Sequence, residues 1–407
     1  MNIKRKDRDI MQFTFSDKVS GLKPSAIREI FKSLTNPNVI SFAAGNPNVK
    51  SFPVEELHVL ADEIFEKEAG VALQYGITEG YTPLRRQVEA RMKEKFGIGR
   101  DFDETIIVTG GQQGIDLTCK VLCNEGDVVI CENPSFIGAL NAFRSTGAKL
   151  VGVDVEDDGI SVEGLEKALS ENKNAKMIYL IPTFQNPSGI TMSLEKRKAV
   201  LALAKKYGVP ILEDNPYGEL RFAGEDVPTI KSMDDEGIVI YCSSFSKILS
   251  SGMRIGFLCG HRDLISKVVV IKQTNDVHTN LFFQMLCSKY IERYDLDAHI
   301  AQIRKLYREK SSLMLSEMDK NFPKSVKFTR PEGGLFLWVT LPDGTDADAF
   351  IKDTVAHEVA VVPGATFLPD ESGKSLSFRM NYSTPTDEQI VKGVGIIADV
   401  LRKHIKE

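Results

Sequence analysis

Residues 243–254 read S-S-F-S-K-I-L-S-S-G-M-R, which sets one lysine, Lys247, between the hydroxyls of Ser244 and Ser246 and the guanidinium of Arg254. An amine condenses with an aldehyde to a Schiff base, and lysine is the side chain suited to that. Hydroxyl donors and a planar bidentate arginine suit a phosphate. On one short segment, the two sets fit a ligand that is an aldehyde with a phosphate tail. The plainer reading is a solvated Ser/Lys loop. The flanks are apolar, and a lysine inside them needs a reason.

Four other segments carry weaker signals. T-G-G-Q-Q-G at 109–114 follows a β-branched run and opens a helical pattern. Glycines admit close backbone approach and a helix start favours an anion, though a short βα turn explains the glycines equally well. P-T-F-Q-N-P-S-G at 182–189 sets Asn186 before a proline, a restricted dipeptide common in turns. E-D-N-P-Y at 213–217 puts Asp214 at the mouth of an apolar strand. Such an acid is more often a cap, but beside a pyridine nitrogen it holds the ring positive and deepens an electron sink. L-S-F-R-M-N-Y at 376–382 sets Arg379 in an apolar strand, either as a structural ion pair or as a fork for a carboxylate.

These segments need a scaffold that brings them together. From about residue 105, short β-branched runs alternate with amphipathic stretches. Strands are expected at 105–109, 127–131, 149–153, 176–181, 210–213, 237–242 and 254–259. Helices are expected at 112–123, 136–146, 161–170 and 194–207. Such alternation implies parallel crossovers and a sheet covered on both faces. Ligands then bind beyond the carboxyl ends of the strands, where the informative segments fall. The last third reads differently: one long charged helix over 291–322, short strands, a helix at 346–358 and a terminal helix from Thr386. A chain of 407 residues exceeds a single core, so a smaller α+β domain is expected beside the large one.

The formal net charge of −5, with 26% charged and 42% hydrophobic residues, describes an ordinary globular chain and argues against a nucleic-acid partner. None of the six cysteines forms a C-x-x-C pair. Cys119 and Cys123 are four apart but lack further ligands at metal spacing, so all six read as small buried hydrophobes and no metal is expected. The opening MNIKRKDRDI has no apolar run after it, and no apolar stretch reaches membrane-spanning length. A cytoplasmic protein is expected.

Taken in order, these motifs resemble the fold-type-I pyridoxal-5'-phosphate (PLP) aminotransferases of class I/II. The resemblance runs from about Ser25 to the end. S-A-I-R-E-I (25–30), I-S-F-A-A-G-N-P (40–47), L-Q-Y-G (73–76), G-Y-T-P-L-R (80–85) and S-S-G-M-R (250–254) look closest to the α-aminoadipate and kynurenine branch. It implies a large domain with a mostly parallel seven-stranded sheet and a smaller α+β domain built from both chain ends. The expected division is an arm at 1–44, a large PLP-binding domain at 45–290 and a small domain at 291–407.

By resemblance, Lys247 holds the cofactor and shuttles the proton, and Asp214 pairs with the pyridine nitrogen. Asn186 and Tyr217 bond the ring oxygen, while Phe136 stacks on the ring, where relatives often have tyrosine. Gly111, Gln112, Ser244, Ser246 and Arg254 hold the phosphate; relatives often have serine at the Gly111 position. Tyr75 resembles a tyrosine that reaches the phosphate from a neighbouring subunit, which implies a homodimer with shared sites. Arg379, Asn186 and the Gly45 backbone grip the substrate carboxylate. Arg28 either meets an acidic substrate side chain or is a surface arginine paired nearby.

The implied reaction is ping-pong transfer from an L-amino acid (2-aminoadipate, glutamate, aromatic or branched-chain) to a 2-oxo acid, with 2-oxoglutarate as expected acceptor. Two alternatives stand beside it. A PLP-dependent β-lyase would use the same residues. A non-catalytic PLP-binding sensor would need a DNA-binding module, for which the motif at 41–47 begins too early.

Overall fold

The computed structural model describes residues 13–16, 18 and 38–405. The S-A-I-R-E-I segment, with Arg28, lies outside the described residues. After strand β1 (Ile40–Ser41) come helices α1 (Val54–Lys67), α2 (Ala69–Ala72) and α3 (Thr82–Phe96). The central sheet then begins with β2 (Asp103–Val108) and α4 (Gly110–Leu122), β3 (Val128–Asn133) and α5 (Ile137–Ser145), β4 (Lys149–Glu156), β5 (Gly159–Ile160) and α6 (Val162–Glu171). It continues with β6 (Ala175–Leu180), α7 (Leu194–Tyr207), β7 (Ile211–Asp214), β8 (Val239–Ser244) and β9 (Gly256–His261), followed by α8 (Arg262–Asn275) and α9 (Leu281–Arg293). The remainder is α10 (Leu296–Asn321), β10 (Lys327–Phe328), β11 (Phe336–Thr340), α11 (Ala347–Ala356), β12 (Val359–Ala360), β13 (Val362–Pro363), β14 (Ser377–Asn381) and α12 (Asp387–His404).

The large sheet has the order β2-β9-β8-β7-β6-β3-β4-β5. It is the expected seven-stranded sheet with one addition, the two-residue β5 folded back antiparallel on β4 at the edge. The links β8–β7, β7–β6, β6–β3 and β3–β4 are parallel. Strand β9 runs against both neighbours. The reason is local: residues 245–255 contain no helix long enough to cross over, so the chain returns directly beside β8, with Ser244 opposite Gly256. That return carries the Ser244–Arg254 segment at the carboxyl end of β8.

Strand alternation divides the core. Met177 and Tyr179 pack with Ile115, Leu140, Phe143 and Val268 under α4, α5 and α8. Ile178 and Leu180 pack with Leu165, Leu169, Val200 and Ala204 under α6 and α7. The smaller domain is centred on the antiparallel sheet β10-β11-β14-β13. Strand β1 pairs in parallel with β12, which ties the start of the described chain to the last third.

The helix expected over 291–322 begins only at Leu296, and residues 291–293 are the end of the preceding α9. Asp295 breaks it: its side chain accepts from the Ala298 amide and caps a new helix beginning at Leu296. The terminal helix starts where expected, on a capping box between Thr386 and Gln389. All six cysteines are free thiols, and five of them are buried. No helix among the described residues is long and apolar enough to cross a membrane.

Candidate active site

A cavity of about 380 Å³ opens at the carboxyl ends of β2, β6, β7 and β8. Gly45, Gly111, Gln112, Phe136, Asn186, Asp214, Tyr217, Ser244, Ser246, Lys247, Arg254 and Arg379 all line it. Segments more than 330 residues apart therefore converge, and the size suits a small organic ligand.

At one end is Arg254, in the left-handed region with φ 57°, an unusual conformation for a residue with a side chain. Its guanidinium reaches Ser246 Oγ at 3.4 Å, Ser251 O at 3.2 Å and Thr109 O at 3.5 Å. These contacts are long, and among the described residues no carboxylate lies within ion-pair distance. The fork keeps donors to spare. Ser246 accepts from Ser244 Oγ at 2.7 Å. Opposite them, α4 starts at Gly110, whose φ of +74° and closeness to Arg254 exclude a Cβ. Gln112 is oriented by its bond to Gly138 O at 2.8 Å. Hydroxyls, backbone amides and an unpaired guanidinium compose an anion cradle of the kind a phosphate takes.

At the other end is Asp214, buried, with Tyr179 donating its hydroxyl to Oδ2 at 2.7 Å. Burial raises the Asp214 carboxyl to about pH 7, against the opposing effect of the Tyr179 hydrogen bond. No cation pairs with it among the described residues. A protonated ring nitrogen would satisfy this buried acid.

Between the two ends, Lys247 Nζ donates to Gly45 O at 2.7 Å. Burial first, then Arg379 and Arg254, lowers the Lys247 ammonium to about 8. An amine so placed is partly neutral near neutrality, as a nucleophile and proton carrier must be.

Arg379 lies in β14, pinned by donating to Asn186 Oδ1 at 2.8 Å and to Ala43 O at 2.9 Å. Its guanidinium is sandwiched between the Phe336 ring at 4.1 Å and the Phe367 ring at 4.9 Å. Its Nε finds no partner among the described residues. Burial pulls the guanidinium down to about 10. This favours the carboxylate-fork reading over a structural ion pair, because the buried arginine lines the cavity and no carboxylate pairs with it among the described residues. Burial also pushes the Tyr217 hydroxyl up, and that hydroxyl meets Asn186.

The loop bearing Asn186 is itself anchored. Glu132 accepts from Ile181 N at 3.0 Å and from Gln185 Nε2 at 3.4 Å. Gln185 in turn accepts from Ser188 N at 2.8 Å. The Asn186–Pro187 bond within this loop is cis.

Tyr75 is not at this cavity. It is 80% exposed and stands edge-on to His278 at 5.8 Å. Sequence reasoning did not single out Tyr179, Phe336 or Phe367. Strand alternation marks Tyr179 as sharing a face with Met177, but nothing local to Phe336 or Phe367 ties them to Arg379.

Residues 37–397 match the family model described as aminotransferase class I and II. An aromatic-amino-acid aminotransferase of Thermococcus litoralis is 41% identical over 397 residues, covering 97% of this chain and 95% of that one. A 2-aminoadipate transaminase of Thermus thermophilus is 37% identical over 384 residues, 94% of each chain. The solved structure of a kynurenine aminotransferase from Pyrococcus horikoshii superposes with a TM-score of 0.93 at 39% identity, covering 97% of this chain and 98% of that one. The site has an anion cradle, a lone amine and a buried acid where such a cofactor needs them, and on that ground and these matches the chain belongs to the class I and II aminotransferases, enzymes that move amino groups with pyridoxal 5'-phosphate.

Proposed function

We propose that this aminotransferase takes the amino group from L-amino acids with large apolar or acidic side chains and delivers it to a 2-oxo acid, with 2-oxoglutarate as acceptor. The observation that carries the reading is Arg379: a buried guanidinium, clamped between two rings, that lines the same cavity as the lone amine of Lys247. An α-carboxylate fits that fork.

The residues take these roles. Ser244, Ser246, Arg254, Gln112 and the amide of Gly111 hold the phosphate. Asp214 would keep the pyridine nitrogen protonated, Phe136 would cover the ring, and Tyr217 and Asn186 would bond its oxygen. The cofactor, when bound, supplies an aldehyde that accepts the amino group and a ring that withdraws electrons. Lys247 Nζ would hold the cofactor at its aldehyde and, when free, would move the proton of the substrate α-carbon. Arg379, Asn186 and Gly45 orient the substrate so that this proton faces Nζ.

Phe336 offers an apolar wall, and the described lining holds no cation beyond Lys247, Arg254 and Arg379. An acidic donor side chain therefore needs a further cation, and Arg28 is the residue we assign to it. The names of the relatives support both donor classes. We also propose a homodimer in which Tyr75 serves the phosphate of the other subunit, a cytoplasmic location, and a division into arm 1–44, large domain 45–290 and small domain 291–407. The β1–β12 pairing supports joining the arm to the small domain.

The test is to follow the absorbance of the purified holoenzyme between about 300 and 500 nm while adding L-glutamate, 2-aminoadipate, leucine and phenylalanine in turn. Conversion to the amine form by apolar and acidic donors is the expected result, with only the acidic donors impaired by Arg28→Ala. A band that no donor converts would overturn the reading.

A further inference from the structure

Beside the phosphate cradle is a partly buried polar cluster with no part in the roles above. Lys272, near the end of α8, is completely buried. Its Nζ donates to both oxygens of Asp276 at 2.7 and 2.9 Å, to Gln113 Oε1 at 3.0 Å and to Thr279 Oγ1 at 3.1 Å. Asp276 accepts in turn from Thr109 Oγ1 at 2.8 Å and from Gln113 Nε2 at 2.7 Å. Gln113 Oε1 also accepts from the Thr109 amide at 2.7 Å. Thr109 and Gln113 bracket Gly110–Gln112, and Thr109 O receives Arg254. The next residue after Asp276, Val277, is in the left-handed region with φ 64°. That conformation is costly for a β-branched side chain and persists only where the surroundings hold it.

A buried lysine is expensive unless its charge and donors are met. Here every acceptor that meets them belongs to the two ends of one turn, the Asp276 turn after α8, or to the first turn of α4. We propose that Lys272 and Asp276 are positioning residues that lock the first turn of α4, and with it the Arg254 fork, in the geometry that receives the cofactor phosphate. They touch neither cofactor nor substrate and act through Thr109 and Gln113. This rests on the reading of Gly111, Gln112 and Arg254 as the phosphate site.

The experiment compares the dissociation constants of PLP and of phosphate-free pyridoxal for the full-length protein and its variants. Lys272→Met should weaken PLP roughly tenfold or more, the scale of a buried group left unpaired, while pyridoxal stays within about twofold. Asp276→Ala should behave alike, and the double variant should be little worse than either single, since the two act as a unit. Thr109→Val keeps the ion pair and removes the hydrogen bonds of Thr109 Oγ1 to Asp276 and Thr279. It should cost PLP about threefold to tenfold and spare pyridoxal, and it decides the matter if Lys272→Met does not fold. Equal losses for both ligands, or none for either, would overturn the proposal. Arg254→Gln separates the two levels. If it abolishes the preference for PLP over pyridoxal while Lys272→Met and Thr109→Val leave it intact, only the positioning role fails. If Arg254→Gln leaves the preference intact, the phosphate site itself has been misassigned.

Discussion

Two residues carry opposite electrostatic problems. Asp214 is a buried acid whose only side-chain partner among the described residues is the Tyr179 hydroxyl, a hydrogen bond that favours the charged form. Tyr179→Phe removes it, so the Asp214 carboxyl should move further up from about 7. The acidic limb of PLP binding to the cofactor-free protein should then shift to higher pH, with affinity at neutrality lowered about threefold to tenfold. A limb that stays in place would show that Tyr179 only fills space. Arg379 is the converse, a buried cation with a free donor. Arg379→Lys loses the planar fork and should lower kcat/KM for amino acids on the order of a hundredfold through KM, without changing PLP affinity. A normal KM would remove Arg379 from substrate binding.

At the scale of elements, the loop between β6 and α7 presents Asn186, and Glu132 at the end of β3 holds it through Ile181 and Gln185. Burial raises the Glu132 carboxyl from 4.5 to about 8. A group raised on folding contributes stability that is complete below its unfolded value and is lost as pH climbs through its folded value. The protein should therefore weaken between about pH 4.5 and pH 8 on account of Glu132. Glu132→Gln keeps an oxygen acceptor and never ionises. Its melting midpoint should match the parent's near the lower value and exceed it by a few degrees above the upper one. Parallel curves across that range would refute this. The return of β9 beside β8 is the other decisive element. A Cβ at Gly256 would stand 2.8 Å from the Gly110 backbone, so this glycine sets how closely the Arg254 loop approaches the first turn of α4.

For the whole molecule, the exposed apolar side chains of 54–77 mark one surface. Val54, Val59, Phe65, Val71, Leu73, Tyr75 and Ile77 are all more than half exposed. So much apolar surface on one segment is characteristic of an association surface. Sedimentation should give twice the mass of the chain at micromolar concentration. Tyr75→Phe should weaken PLP about fivefold, although the residue lines no part of its own chain's cavity. A monomer that binds PLP normally with this substitution would end the shared-site reading.

The order of motifs along the chain was enough to identify a fold-type-I aminotransferase, and it nominated Lys247 and an anion cradle whose residues the fold brings to one cavity. Those assignments rest on local chemistry: a residue type, its flanks, and a strand that ends just before it. Alternating strands and helices made the central sheet legible for the same reason, since period and punctuation are local properties. Other features depend on residues far apart in sequence. Whether Arg379 sits in an ion pair or keeps a free donor is decided by Phe336, Phe367, Asn186 and Ala43, which only the folded chain assembles. The break at Asp295 depended on a cap competing with a continuing helix, and hydrophobic periodicity does not register that competition. The Lys272–Asp276 lock joins the end of α8 to the start of α4 across more than 150 residues. Its meaning lies in what it touches, because a buried charge takes its role from partners that only tertiary packing supplies.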